Sequence, residues 1–379
     1  MHKRIFSIAV LSWLPVCYIN SVAQPRFLYP TEKLAIGPGV YAQSWRLQDS
    51  TGSKRVSAIF TPLRLAVPVT ANIDLDFFGA SAFANSDQNG SPALNGLVDS
   101  KIRATVRLND YRWLIQAGAN LPTGKNSLNA NEVRVNNLLA ESVLGFLVKR
   151  YGRGLDFDAG VAYAGSLSEK TKAALGAAYL RKGSYRFRQD DPRRFSPGDE
   201  LTVTTGLEVK GERVSLRSNV LAKFFQKDQL GGAAAFQEGP QLEINGDVVF
   251  SGRPWRLALA VKDVIKADNK TFSGDGNAVA AAKDNFSGNI FWVNQQTTYA
   301  LSEQFSVAAS LGLNILGESD LQLGDAQIYH AGAGAQWKLS EHVIGQASFS
   351  YSTGEAKDPA ARVVDLRGTF FNAGLIVRY

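Results

Sequence analysis

The sequence predicts an all-β protein: a transmembrane, antiparallel, up-and-down β-barrel of about sixteen strands, with a short helix in an extracellular loop. Three observations support this fold class. Apolar and polar residues alternate in segments of about ten residues, short and long connections alternate between the segments, and aromatic residues recur at one end of them. The composition agrees, with 45% hydrophobic residues and 35 glycines.

The first residues have the three parts of a secretory signal peptide. A positive region at Lys3 and Arg4 precedes an apolar run, and small residues precede a cleavage point at Gln24. Cleavage would remove Cys17, the single cysteine, so the exported chain would form no disulfide. The predicted organisation is a signal peptide, a short periplasmic segment and the barrel: residues 1–23, 24–38 and 39–379.

Alternation is clear in KIRATVRL, where Ile102, Ala104 and Val106 share one face and Arg103 and Arg107 share the other. Each segment of this kind is a strand with one apolar face and one polar or glycine-rich face. Fourteen strands would remain if the opening hairpin did not form. The predicted strands, with both termini on the periplasmic side, are 39–48, 54–69, 71–85, 97–108, 111–121, 153–166, 172–188, 199–210, 212–226, 236–251, 254–266, 287–300, 304–316, 326–338, 341–353 and 367–379.

Two architectures would give this alternation: a soluble sandwich, whose apolar faces pack on each other, and an outer-membrane barrel, whose apolar face meets lipid. The connections favour the barrel. Short ones such as LNDYR and KGER alternate in chain order with long ones such as RQDDPRRFSPGD, as tight periplasmic turns alternate with longer outer loops. We therefore expect an exported, multi-pass protein of the outer membrane of a Gram-negative-type bacterium.

Aromatic residues provide a second argument for the barrel. In the predicted topology they fall on the lipid face at the periplasmic strand ends, where amphipathic rings lie at headgroup level. The final strand, TFFNAGLIVRY, ends on such a residue and resembles the signal that the barrel assembly machinery recognises, so that machinery is an expected partner. The predicted membrane-interface aromatics are Tyr111, Trp113, Trp255, Tyr299, Trp337 and Tyr379.

One segment has helical rather than strand periodicity. Asn129 is followed three residues later by Glu132, the spacing of a capping box. Apolar residues then recur at helical intervals through Phe146. We predict a helix from 129 to about 145 within the longest outer loop; the alternative is a strand over 138–151, which would break the alternation of loops and turns.

Charged side chains on the polar faces predict the character of the lumen. Opposite charges fall on adjacent strands, where they can pair across the wall, so we expect side chains to restrict the path. The alternative is that these residues are simply solvated. The predicted constriction residues are Asp74, Asp76, Arg103, Arg107, Arg112, Asp156, Asp158, Arg213, Arg217 and Glu243.

Catalysis is not predicted. His330 is expected to face the lumen and His342 to lie in a turn, and neither has an evident serine and acid partner at readable positions. LPTGK lacks the glycine spacing and the strand-to-helix setting of a phosphate loop. No cofactor and no metal site is predicted. The net charge of +7 is spread along the chain, so no nucleic-acid partner is expected.

Three stretches resemble a group of outer-membrane proteins: GLVDS at 96–100, GANLPTGKNSLNANE at 118–132, and YLRKGSYRF with SPGDELTVTTGLEV between 179 and 209. The pattern is similar to barrels associated with the meta pathway of phenol degradation, relatives of the FadL-like fatty-acid and aromatic-hydrocarbon transporters. The resemblance implies a monomer that moves small hydrophobic molecules inward. FadL-like proteins have an N-terminal hatch, and the segment 24–38 is too short for it.

Three functions stay open at this stage: a transporter of fatty acids or aromatic or aliphatic hydrocarbons, a general or ion-selective porin, and a structural or adhesive barrel. For the first we expect a small hydrophobic ligand captured from outer-membrane lipid and lipopolysaccharide by the predicted helix. The residues of the surface where such a substrate would enter are Val135, Leu138, Leu139, Val143 and Phe146.

Overall fold

The computed structural model describes residues 34–87, 90, 92–110, 112–272, 288–320 and 322–379. The predicted signal peptide, most of the predicted periplasmic segment and Tyr111 lie outside these residues.

Sixteen antiparallel strands of the described chain form a closed barrel, which confirms the predicted fold class. Each strand pairs with its neighbours in the chain, and the last strand pairs with the first, where Tyr41 lies opposite Asn372. The strands are β1 Ala35–Asp49, β2 Gly52–Thr70, β3 Ile73–Ser86, β4 Ala93–Leu108, β5 Trp113–Leu121, β6 Asp156–Ser166, β7 Thr171–Arg181, β8 Glu200–Lys210, β9 Val214–Phe225, β10 Gln241–Ser251, β11 Trp255–Lys266, β12 Ile290–Ala300, β13 Phe305–Leu316, β14 Gly324–Lys338, β15 Val343–Lys357 and β16 Val363–Arg378.

Most strand boundaries differ from the predicted ones, and the strand pairing explains three of the differences. β1 begins at Ala35, inside the predicted periplasmic segment, because it pairs with both β2 and β16 from that residue. β7 ends at Arg181 and β10 begins at Gln241, because the chain beyond them leaves the barrel wall. Four short strands there form a separate sheet, in the order Lys270–Thr271, Ala233–Gln237, Asp228–Leu230 and Phe195–Ser196.

The two ends of the barrel differ in their connections. Turns of two to four residues close one end, here called the turn end: 71–72, 109–112, 167–170, 211–213, 252–254, 301–304 and 339–342. The other end, here called the loop end, has the tight turn 50–51 and seven longer connections: 87–92, 122–155, 182–199, 226–240, 267–289, 317–323 and 358–362.

The outer wall is apolar over its whole circumference. On every strand, large apolar side chains that point away from the lumen are exposed, among them Leu63, Leu175, Leu311 and Phe349. A continuous exposed apolar surface of this size is not tolerated in water but fits lipid, and the closed barrel leaves no unpaired strand edge. The fold is therefore a transmembrane β-barrel. No helix of the described residues is long and apolar enough to cross a membrane.

The predicted helix is present as α1, Ala130–Ala140, followed by a single turn of 3-10 helix at Ser142–Leu144. The Asn129 side chain accepts hydrogen bonds from the backbone of Asn131 and Glu132, and the Glu132 side chain accepts one from the backbone of Asn129. The capping box is thus confirmed, because both halves of the reciprocal pair are made.

Candidate functional site

The connection between β5 and β6, residues 122–155 and here called the plug loop, folds into the loop end of the lumen. In β1, buried Trp45 and Leu47 alternate with exposed Arg46 and Gln48, so the buried face is the inner one. Apolar residues of the plug loop pack against this inner wall: Leu128, Val135, Leu138, Leu139, Val143, Leu144, Phe146, Val148 and Tyr151. Their partners on β1–β4 and β13–β16 include Trp45, Leu47, Val56, Ala82, Ala84, Leu94, Leu316, Ala326, Ile328, Ala356, Val364 and Leu366.

Asp99, near the loop end of β4, holds both stems of the plug loop. One carboxylate oxygen accepts a hydrogen bond from the backbone N–H of Gly124 at 2.8 Å, and the other accepts one from Arg153 at 2.6 Å. The backbone of Asp99 donates to the carbonyl of Tyr151, whose hydroxyl donates to the carbonyl of Leu94. The two ends of the loop are therefore fixed to one strand.

The middle of the plug loop is attached to β1 and to the connection between β13 and β14. Gln43 on β1 donates a side-chain hydrogen bond to the carbonyl of Leu144 at 2.7 Å. Glu141 accepts a hydrogen bond from the backbone of Leu323 at 3.0 Å, in the connection between β13 and β14. Burial raises the pKa of the Glu141 carboxyl, although the hydrogen bond from Leu323 and, after it, the nearby lysines Lys54 and Lys149 oppose the shift. These contacts hold the loop inside the barrel rather than above it.

The outward side of the plug loop is covered by the connection 182–199. The backbone of Leu128 donates to the carbonyl of Phe187 and accepts from Gln189. The guanidinium of Arg150 lies over the rings of Tyr185 and Phe187, 5.5 and 5.4 Å from their centroids. Burial lowers the pKa of Arg150 to about 10. The plug loop therefore contacts both the inner wall of the barrel and a second loop.

This arrangement corrects the predicted surface for substrate entrance. Val135, Leu138, Leu139, Val143 and Phe146 are all buried, and the least buried of them, Leu138, is only 8% exposed. The helical periodicity predicts an amphipathic helix in an outer loop, and in the structure the apolar stripe of that helix packs on lumen residues. In this conformation these side chains pack on the inner wall and present little exposed apolar surface.

An arc of aromatic rings lines the lumen beside the plug. Tyr41, Phe60, Phe78 and Phe370 lie on β1, β2, β3 and β16, on the same inner faces as the buried plug contacts. Tyr41 is 6.0 Å from Phe60 and 6.2 Å from Phe370, and Phe60 is 6.3 Å from Phe78, between ring centroids. Phe60 also packs against the plug cluster, so arc and plug form one continuous apolar region. Sequence reasoning missed this arc, because the four rings meet only across neighbouring strands.

Most of the predicted constriction residues lie on the inner wall, where they pair along the wall rather than across the lumen. Arg103 reaches Asp158 over Gly118, which leaves room on the intervening strand β5. The apolar plug, and not a ring of charges, restricts the loop end. The ion pairs are Asp74–Arg107, Asp76–Arg64 at 2.9 Å, Asp158–Arg103 at 3.8 Å, Arg217–Asp247 at 3.0 Å and Glu243–Lys262 at 2.6 Å.

Three of the predicted constriction residues form none of these ion pairs. The prediction is wrong for Arg112 and Arg213, which are exposed in turns at the turn end because β5 and β9 begin one residue later. Asp156 is buried, and its carboxylate accepts hydrogen bonds from the backbone of Gly183 at 2.8 Å and from the side chain of Asn120 at 3.0 Å. Asp156 therefore anchors the connection 182–199 to β6.

The described members of the predicted aromatic set lie at the turn end. Trp113, Trp255, Tyr299 and Tyr379 are exposed on the outer wall, and Trp113 packs on Tyr163 with ring centroids 5.0 Å apart. Trp337 is half-buried because its indole lies over Gly345 on β15. Their role at a membrane interface stays a prediction.

His330 faces the lumen, where its Nδ1 atom lies 2.7 Å from the hydroxyl of Ser352. This serine partner on β15 was not readable from the sequence. The Nε2 atom is buried without a hydrogen-bond partner among the described residues. Among the described residues, His330 therefore has no hydrogen-bonded carboxylate of the kind that orients the imidazole in a hydrolytic triad. His342 lies in a turn, where its carbonyl accepts from the backbone of Arg378.

The quoted motifs meet at the rim of the plug. Asp99 of GLVDS binds Gly124 of LPTGK, and in the third stretch Asp199 accepts a hydrogen bond from the backbone of Lys182. A Cβ atom at Gly124 would overlap the carbonyl oxygen of Tyr151, so only glycine fits there. The same pairing of a glycine N–H with a side-chain oxygen recurs around the loop end: Gly183 with Asp156, Gly198 with Asp228 and Gly239 with Asn269.

No protein-family model and no curated protein matches the sequence. Similar solved structures include a FadL homologue from Pseudomonas aeruginosa, at 10% identity over 91% of this chain and 90% of that chain with a TM-score of 0.46. The CymD monoaromatic hydrocarbon channel is 12% identical over 92% of this chain and 89% of that chain, with a TM-score of 0.45. An anion-selective porin from Comamonas acidovorans is 11% identical over 91% of this chain and 99% of that chain, with a TM-score of 0.42. These neighbours include both hydrophobic-substrate channels and porins, and the identification of the fold rests on this chain's own strand pairing.

Proposed function

We propose that the protein is an outer-membrane channel for the uptake of small hydrophobic molecules, with the plug loop as its gate. The loop end faces the outside in this proposal, and the turn end faces the periplasm. The observation that carries the proposal is the continuous apolar region formed by the plug loop and the aromatic arc. A ligand that displaced part of the plug would meet Phe60 and Tyr41 next.

Aromatic rings favour flat apolar ligands, because offset and edge-to-face ring contacts add to the burial of apolar area. The arc is therefore suited to an aromatic hydrocarbon or a related small molecule, and to a fatty acyl chain less specifically. The phenolic compounds implied by the sequence resemblance fall in this class. We expect a monomer, since one barrel contains the whole path.

A general or ion-selective porin is the second candidate. The inner faces of β12–β16 have small polar residues, including Asn294, Ser310, Ser348 and Ser350, and this part of the wall adjoins the charged pairs of β9–β11. A sixteen-stranded barrel with such a wall is wide enough for an aqueous path. The distinction depends on whether the plug loop closes the loop end in the membrane.

Planar-bilayer conductance and uptake by proteoliposomes distinguish these functions. For the channel proposed here we expect small, infrequent conductance together with uptake of a monoaromatic hydrocarbon such as toluene. The variant Phe60→Ala/Phe78→Ala should reduce uptake several-fold, because two rings of the arc are lost. Trp292→Ala is the matched control, because Trp292 faces the lumen on β12 away from the arc.

Large, stable conductance without saturable toluene uptake would instead establish a porin. An equal fall in uptake in Trp292→Ala and in the arc variant would show that the aromatic arc has no specific role in transport. A barrel that neither conducts nor transports toluene, fatty acid or alkane would favour the structural or adhesive alternative.

A further inference from the structure

Three arginines lie side by side on the outer wall near the loop end. Arg46 on β1 is directly opposite Arg55 on β2 and directly opposite Arg367 on β16. All three alternate with buried inner residues, such as Val56 and Leu366, so their exposed side chains point outward. Neighbouring strands lie about 5 Å apart, so this arginine row is about 10 Å wide.

The arginine row forms no salt bridge among the described residues, and the nearest carboxylate contact is that of Asp87 with the backbone N–H of Arg55 at 2.6 Å. The Nε atom of Arg46 donates to the hydroxyl of Ser53 at 2.9 Å, which orients the guanidinium without neutralising it. Two acidic residues occupy the next outward-facing row toward the loop end, where Asp365 on β16 is opposite Glu355 on β15. Neither forms a salt bridge with the arginine row. Like charges directly opposite each other on neighbouring strands are destabilising. An external anion would remove that repulsion.

The rows toward the barrel centre show which kind of anion would reach this site. The next outward-facing row is made of hydroxyls, Ser44, Ser57 and Thr369, and the one after it is apolar, Ala42, Ile59 and Phe371. Ser44 and Ser57 are hydrogen-bonded to each other at 2.8 Å. Successive outward rows are about 7 Å apart along the strands. The wall thus changes from apolar to hydroxyl to guanidinium over the distance in which a lipid changes from acyl chain to phosphate.

We propose that Arg46, Arg55 and Arg367 bind the phosphate groups of an anionic glycolipid in the outer leaflet, with its acyl chains on the apolar wall below. Guanidinium groups match phosphate oxygens with two parallel hydrogen bonds, and an adjacent row of them can share one phosphate or hold two. The proposal rests on the loop end facing the outer leaflet, and it is independent of what the lumen transports.

The test uses the full exported chain in detergent and purified bisphosphorylated lipid A as the probe, with bound lipid measured by native mass spectrometry. The row variant is Arg46→Gln/Arg55→Gln/Arg367→Gln. The control variant, Arg112→Gln/Arg213→Gln/Arg253→Gln, removes the same charge from exposed turn-end residues. We expect the row variant to bind lipid A at least tenfold more weakly than the wild type and the control. Lipid A without phosphates should bind weakly and equally to all three proteins.

The folded state is checked independently by heat-modifiable electrophoretic mobility. Because the row variant removes like-charge repulsion, its thermal unfolding midpoint without lipid should be equal to or above that of the wild type. Unchanged lipid A binding by the row variant would overturn the proposal, as would an equal loss in the control. If inorganic phosphate at the lipid concentration displaces lipid A completely, the site binds free phosphate and the lipid assignment is wrong.

Discussion

Asp99 accepts hydrogen bonds from both stems of the plug loop, and Asp99→Asn is expected to let that loop open. Hydrogen bonds to a charged group contribute about 1.5–3 kcal/mol each. Asparagine keeps one acceptor oxygen, so the bond from Gly124 or the bond from Arg153 is lost and the other becomes a neutral one. The expected cost to the closed state is about 3 kcal/mol. Since about 1.4 kcal/mol is a factor of ten, the open fraction should rise about a hundredfold.

Single-channel recording in planar bilayers measures this open fraction directly. The matched control is Asp199→Asn, which changes another loop-end carboxylate; this one accepts hydrogen bonds from the Lys182 backbone and the Tyr179 hydroxyl, which lie outside the plug loop. Only Asp99→Asn should increase the frequency of openings. Wild-type gating in Asp99→Asn, in a barrel with unchanged electrophoretic mobility, would refute the assignment of Asp99 as the anchor of the gate. Equal effects of the two variants would show a general loosening of the rim.

Three further predictions concern the plug. Leu139→Ala should destabilise the closed plug loop by about 2–5 kcal/mol, because the Leu139 side chain is only 1% exposed. Faster proteolysis within the plug loop is the expected measurement. Gly124→Ala should lower the thermal unfolding midpoint, whereas Gly246→Ala, whose Cβ has space, should not. Burial raises the pKa of Glu141, so the closed plug is most stable below the ordinary glutamate pKa and loses stability as pH rises through the raised pKa. Channel openings should therefore increase across that pH range, and Glu141→Gln, which keeps the acceptor oxygen without titrating, should abolish the increase.

Local periodicity was enough to predict the sixteen barrel strands and the helix. A strand that faces lipid on one side and the lumen on the other must alternate, whatever its partners are. The capping box of α1 is equally local, because Asn129 and Glu132 satisfy each other within one turn. Arg112 and Arg213 were misplaced for the same reason, since alternation continues for a residue or two past the point where pairing stops. Alternation therefore identifies strands more reliably than it identifies their ends.

The location of the plug loop and the composition of the candidate site depend on contacts between residues far apart in the chain. The apolar stripe of α1 is compatible with an outer surface and with an inner one, and only its packing on Trp45, Ile328 and Leu366 decides between them. The aromatic arc and the arginine row are likewise created by register, which aligns side chains on strands that close the barrel. By itself the sequence determined which residues face lipid or lumen. Which of them meet was decided by the tertiary structure, because closure of the barrel brings the first and last strands together.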